Sequence, residues 1–242
     1  MEEERGGKLK YNETKTSESY ISITYNNVNC YLVKTNNGFV LIDTGFSKDR
    51  TKIEKELESA GCKVGDLKLI VVTHGDGDHV GNCAYFREKY STRIAMHSGD
   101  RGMVEYGDFL WNRKVSFPKK ILFKILTMLL SLSGLNLKKS DQFKPDIYIK
   151  DGDNLSEYGL DAKVLHTPGH SKGSVGYLLP NGDLFCGDLL MNTKEPAKFS
   201  MIVEHQEFNS SIEKLKRLKI RTVYPGHGKP FSMKQYIENH KN

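Results

Sequence analysis

Only four of the 242 residues are cysteine, and Cys30, Cys62, Cys83 and Cys186 form no CxxC pair. That spacing argues against a disulfide framework or a thiolate zinc site and suits a reducing, cytoplasmic setting. The N-terminus, Met1-Glu2-Glu3-Glu4-Arg5, lacks the apolar core of a secretory leader. Apolar runs are short; the longest, around 121–135, is broken by Lys124 and Gly134 and is marginal for a membrane span. The excess of one charge sign is modest too. The excess is +6 and is spread along the chain rather than gathered in one basic stripe, which argues against a nucleic-acid partner. Nothing marks an interdomain linker, so a single domain over 1–242 is expected, with a polar, peripheral N-terminal segment at 1–19.

What is present is a series of short apolar strands that end in glycine-flanked polar residues. Tyr31-Leu32-Val33 and Phe39 to Ile42 flank Asn36-Asn37-Gly38, a hairpin signal, and the second strand runs into Asp43-Thr44-Gly45. Ser47 is expected to open a helix with Ile53, Leu57 and Ala60 on one face, stopped by Gly61. A strand at 67–72 leads to Thr73-His74-Gly75-Asp76-Gly77-Asp78-His79, then a helix near 80–90 and a strand from Arg93 to His97. Further on, Ala162 to Leu165 leads to His166-Thr167-Pro168-Gly169-His170, and Val175–Leu179 and Leu184–Cys186 form a second hairpin ending at Gly187-Asp188. Ser210 and Glu213 read as a capping box, and a strand from Arg221 to Tyr224 meets Pro225-Gly226-His227. Strand–helix alternation between hairpins suggests two mixed sheets covered by helices, an α/β fold.

Four of these strands end at a histidine or aspartate next to glycine. In extended chain residues i and i+2 share a face, and glycine permits a tight turn, so such ends can converge. His74, Asp76, Asp78, His79, His170, Asp188 and His227 are therefore candidate metal ligands. Imidazole and carboxylate suit zinc, iron or manganese. Seven ligands exceed one tetrahedral ion and match two divalent ions sharing a carboxylate. Such a pair lowers the pKa of water and polarises a substrate oxygen, chemistry that hydrolyses esters, thioesters, lactones, amides or phosphoesters.

With its His74-x-Asp76-x-Asp78-His79, Thr167-Pro168-Gly169-His170, Phe185-Cys186-Gly187-Asp188 and Pro225-Gly226-His227 motifs in this order, the chain resembles the metallo-β-lactamase superfamily. The resemblance implies a four-layer αββα sandwich. It implies one ion on His74, Asp76 and His170, another on Asp78, His79 and His227, and Asp188 between them. It also makes Asp78 the catalytic proton acceptor, with Asp43 and Ser174 orienting the ligands from behind. The departure is Asp76, where most members have histidine; a carboxylate hardens that site towards iron or manganese. Flavodiiron proteins of this fold carry a glutamate there and a flavodoxin domain, for which the chain after His227 has no room.

His97 and His166 read as structural, His205 and His240 carry no motif, and Cys186 is expected to pack away from the metals. Residues 101–140 form an expected helical insertion, with Ile121, Ile125, Met128, Leu132 and Leu135 at helical spacing among lysines. It reads as core cover, as a lid with Phe109, Trp111, Phe117 and Met128 lining a pocket, or as a basic amphipathic helix for a membrane surface or a dimer. The leading functional expectation is a dinuclear metallohydrolase acting on a small ester, thioester or lactone with an apolar part. The alternatives are a non-haem diiron redox protein and a low-activity regulatory member that binds a metal.

Overall fold

A computed structural model describes residues 19–113, 121, 137–200 and 204–240. The first sheet contains β1 (Ser19–Tyr25), β2 (Val28–Thr35), β3 (Gly38–Ile42), β4 (Leu67–Val71), β5 (Arg93–His97) and β6 (Ile147–Ile149), side by side in chain order. The β1–β2 and β2–β3 pairs are antiparallel, and every later pair is parallel. The second sheet uses β7 (Lys163–His166), β8 (Val175–Leu178), β9 (Asp183–Gly187), β12 (Thr222–Pro225) and β13 (Phe231–Ser232), ordered β13-β12-β9-β8-β7. Only its β12–β9 pair is parallel. A small ribbon, β10 (Leu190–Met191) with β11 (Ala197–Lys198), stands apart. The described helices are α1 (Arg50–Ser59), α2 (Gly77–Val80), α3 (Cys83–Tyr90), α4 (Arg101–Glu105), α5 (His205–Lys216) and α6 (Met233–Asn239).

The order of the layers follows from side-chain alternation. Leu41 and Ile70 point to an outer core with Ile53, Leu57, Phe86 and Tyr90 of α1 and α3. Their neighbours Val40, Ile42, Leu69 and Val71 point the other way, meeting Val164, Val175, Tyr177 and Phe185 of the second sheet. A third core joins that sheet's Leu184, Cys186 and Val223 to Phe208, Ile212 and Leu215 of α5. Strands buried on both faces need apolar residues at every position, which is why β3 and β4 read as continuous runs. The result is the expected αββα sandwich of two mixed sheets.

Local differences have local reasons. β1 begins at Ser19, the last residue of the expected peripheral segment, and pairs with β2 through Ser19–Lys34 to Tyr25–Val28. The helix after Ser47 starts as a 3-10 turn, Ser47–Asp49, because buried Asp49 is held by the Asn26 side chain. The 80–90 helix is two pieces, α2 and α3, separated by Gly81 and Asn82. The capping-box reading is corrected: α5 already begins at His205, so Ser210 and Glu213 lie inside it. Buried Phe208, preceding both, sets the start of the helix against the third core.

Cys186 is buried in that third core, as expected. The helical stripe proposed for 101–140 lies, apart from Ile121, outside the described residues, as do Phe117, Met128 and residues 1–18. No helix among the described residues is long and apolar enough to cross a membrane.

Candidate metal centre

Parallel pairing puts the polar strand ends at one edge of the sandwich. β3 beside β4 brings Asp43 next to Thr73 and His74, and β9 beside β12 brings Asp188 next to His227. The two sheets are tied at this edge by Val175 N–H donating to Thr73 O at 2.8 Å and Tyr177 Oη donating to Val72 O at 2.7 Å. Asn29 clamps the Pro225–Gly228 loop, its side-chain amide donating to Pro225 O at 2.9 Å and Gly228 O at 2.8 Å. Gly226 lies so close beneath the centre that a Cβ there would overlap Asp188 Oδ1 and His79 Cε1.

Two clusters result. His74, His170 and Asp188 offer ligand atoms within 4.8 Å of one another, and so do Asp78, His79 and His227. Asp188 faces both: Oδ1 lies 3.4 Å from His79 Nε2, and Oδ2 lies 3.2 Å from His227 Nε2, 3.8 Å from His74 Nε2 and 3.9 Å from His170 Nε2. His74 Nε2 and Asp188 Oδ1 are buried without a hydrogen-bond partner among the described residues. Buried polar atoms are almost always satisfied, so such orphans mark where a cation fits. The donor set, imidazole and carboxylate with no thiolate, fits two divalent ions.

The imidazoles are aimed by what holds their other nitrogen. Asp43 accepts from His79 Nδ1 at 2.9 Å, from Thr73 N–H at 2.8 Å and from Thr73 Oγ1 at 2.7 Å. It does so with φ at +57°, a left-handed conformation that aspartate tolerates better than most residues. His227 Nδ1 donates to Asn27 O at 2.8 Å, and His74 Nδ1 lies 3.0 Å from Thr73 Oγ1. Among the described residues Ser174 makes no hydrogen bond to the seven candidates. It shapes the loop after His170, its Oγ accepting from Ser171 N–H at 3.1 Å.

Burial disfavours charge on these groups, but their mutual attraction outweighs it. Asp188 and Asp78 push His227 up to about 10 against the opposing effect of burial. His79 and His170 are likewise raised, by Asp188 and by Asp76 respectively, against burial. Burial raises the Asp78 carboxyl while the His79 and His227 rings lower it, and the net shift is downward.

Asp76 is buried beside the first cluster, with Oδ2 accepting from His170 Nε2 at 3.0 Å and lying 3.6 Å from His74 Nε2. Its main partner is Arg113, whose Nη2 donates to both carboxylate oxygens at 2.7 Å. Burial opposes ionisation of Asp76, yet this guanidinium and the His170 ring hold its carboxyl well below the usual range. Arg113 is itself buried, with its guanidinium 3.6 Å above the Phe109 ring and its Nη1 donating to Phe109 O. Phe109 is thus a platform for Arg113, whereas Trp111 is half-exposed and packs on Tyr106.

Sequence reading missed Arg113, Asp100 and Phe199. Asp100, fully buried, accepts from Gly75 N–H at 2.9 Å, Gly173 N–H at 2.7 Å, Ser171 Oγ at 2.6 Å and the Asn112 amide. It ties the His74 and His170 loops together, and its place just after β5, beside Gly99, is the same signal that marked the other strand ends. Phe199 places its ring 5.0 Å from His170 and 5.3 Å from His227, an apolar flank to both clusters. His97 and His166 stack on each other at 4.2 Å; His97 Nδ1 accepts from Gly99 N–H at 3.1 Å, and His166 Nε2 lies 2.8 Å from Lys172 O.

An αββα sandwich with paired His/Asp clusters at its strand ends defines a class of α/β protein built around a metal-binding edge. The family model described as "Metallo-beta-lactamase superfamily" matches residues 23–227, and the chain belongs to that superfamily. A probable metallo-hydrolase, YflN of Bacillus subtilis, is 23% identical over 213 residues, covering 82% of this chain and 78% of that protein. The beta-lactamase-like protein 2 homolog of Drosophila melanogaster is 26% identical over 67% of this chain, which spans 65% of that protein's length. Among solved structures, TTHA1623 in a di-iron-bound form superposes with a TM-score of 0.67 at 26% identity, covering 92% of this chain and 98% of that one.

Proposed function

We propose that this chain is a metal-dependent hydrolase with a two-ion centre, acting on a small ester, thioester or lactone with an apolar part. The observation that carries the reading is Asp188, whose two oxygens face both His/Asp clusters at 3.2 to 3.9 Å. Two divalent ions in these clusters would supply Lewis acidity and a nucleophilic water at neutral pH. His74 and His170 with Asp188 would hold one ion, and Asp78, His79 and His227 the other. Asp78, lowered and hence ionised at neutral pH, stands 3.5 Å from His227 Nε2 and would serve as the proton acceptor. Phe199, flanking both clusters, offers an apolar wall to an acyl group. A hydroxyacylglutathione hydrolase, GloC of Haemophilus influenzae, 26% identical over 70% of this chain, supports a thioester within this range.

The extra negative charge of Asp76 is offset by Arg113, which leaves the carboxylate's oxygen donors as the remaining motive for iron. The test is hydrolysis of an ester, thioester and lactone panel by metal-replete protein, with Asp78→Ala as control. Turnover by the parent and its loss by at least 100-fold in the variant is the expected result. No turnover across the panel with two ions bound counts against the proposal.

A further inference from the structure

We propose that Arg113 is a positioning residue that makes the two metal clusters unequal, so that the cluster of His74, His170 and Asp188 is the weaker and more exchangeable one. The inference rests on the metal-centre reading above and concerns how its two halves fill.

The two clusters differ in one nearby charge. Asp78 in the second is faced by the His79 and His227 rings. Asp76, beside the first, is faced by a buried guanidinium at 2.7 Å from both of its oxygens. One of those oxygens is also 3.0 Å from His170 Nε2, so Asp76 alone separates the Arg113 charge from a nitrogen that would hold the first ion. Burial removes most of the solvent that would screen the two cations from each other.

The arrangement is a charge-conserving exchange. A neutral histidine at position 76 would need no counter-ion, whereas a buried aspartate does, and an unpaired buried carboxylate is costly. Arg113 stabilises the metal-free loop by pairing with Asp76, and the same positive charge opposes the ion. Its fixing by Phe109, through the ring face and the carbonyl, keeps the guanidinium from swinging away. The preference for Asp76 over histidine therefore sets the relative affinity of two adjacent ions rather than the hardness of one.

The test is a cobalt(II) titration of metal-free full-length protein, followed by calorimetry and by the visible cobalt bands. His170→Ala identifies the step that belongs to the first cluster. The parent is expected to fill in two steps, the weaker one lost in His170→Ala. Arg113→Met, which keeps the volume and removes the charge, is expected to tighten that step at least tenfold and leave the other unchanged. Arg113→Lys should restore the two-step curve. Asp76→Asn, which strands the guanidinium without its counter-charge, should weaken the first-cluster step at least tenfold, and it serves where Arg113→Met does not fold. Equal steps in the parent, or an unchanged or weakened first-cluster step in Arg113→Met, overturn the inference. So does an unchanged or tightened step in Asp76→Asn. Failure of the parent to bind any cobalt refutes the metal centre itself, and is told apart because it precedes every variant.

Discussion

Replacing Asp43 by asparagine separates ligand orientation from fold stability. Asparagine tolerates the left-handed backbone at φ +57°, so the turn itself survives. The carboxylate has three donors: Thr73 N–H on Oδ1, and Thr73 Oγ1 and His79 Nδ1 on Oδ2. An amide keeps one acceptor oxygen, which the backbone N–H of Thr73 claims because it cannot rotate away. The new NH2 then faces Thr73 Oγ1, which can turn to accept, and His79 Nδ1, which can accept only by giving up its proton and leaving the ring's remaining proton on Nε2. That nitrogen is the one 3.4 Å from Asp188 Oδ1 and 3.7 Å from Asp78 Oδ2. Losing one charged acceptor costs about 1–3 kcal/mol in stability. Forcing the wrong tautomer on a ligand costs roughly 10- to 100-fold in metal affinity. Urea unfolding of the metal-free variant reads the first effect, and chelator competition reads the second, confined to the cluster of Asp78, His79 and His227. A variant destabilised by that amount but with unchanged affinity would refute the orienting role of Asp43.

Two further outcomes follow from the same geometry. Asp100→Ala strands the buried N–H groups of Gly75 and Gly173 and the Ser171 hydroxyl, and should cost about 3–5 kcal/mol, read as a shift in the urea midpoint; a change under about 0.5 kcal/mol contradicts it. In the metal-free chain His227 is pushed up to about 10 and His79 is also raised, so both carry protons at neutral pH that an ion must displace. Metal affinity should therefore rise with pH from neutrality to about 10, by up to roughly tenfold per unit for each proton released. Calorimetry in buffers of different ionisation enthalpy counts those protons, and no release at pH 7 would contradict the shifts.

The strand ends were legible in the sequence because the signal is local: an apolar run, then a ligand-capable side chain next to glycine. Both clusters draw on such ends, but the alternation that sorts Leu41 from Val40 and Ile42 was hidden, because a strand apolar on both faces reads as one continuous run. Arg113 was not legible, since it lies 37 residues from Asp76 in a stretch whose pattern reads only as an apolar insertion. The departure at Asp76 did carry a usable hint, because a buried aspartate replacing histidine requires a cation nearby. The capping box failed for a different reason. Ser210 and Glu213 have the right spacing, but burial of Phe208 extends α5 back to His205. Tertiary packing outweighed a local motif.

The most direct test of the two-ion centre is a count. Metal-free protein dialysed to equilibrium against saturating zinc and analysed for zinc per chain should hold two ions, falling to one in His170→Ala. A parent chain that retains one ion or none at saturation would contradict the sharing of Asp188 between two clusters, and with it the proposed function.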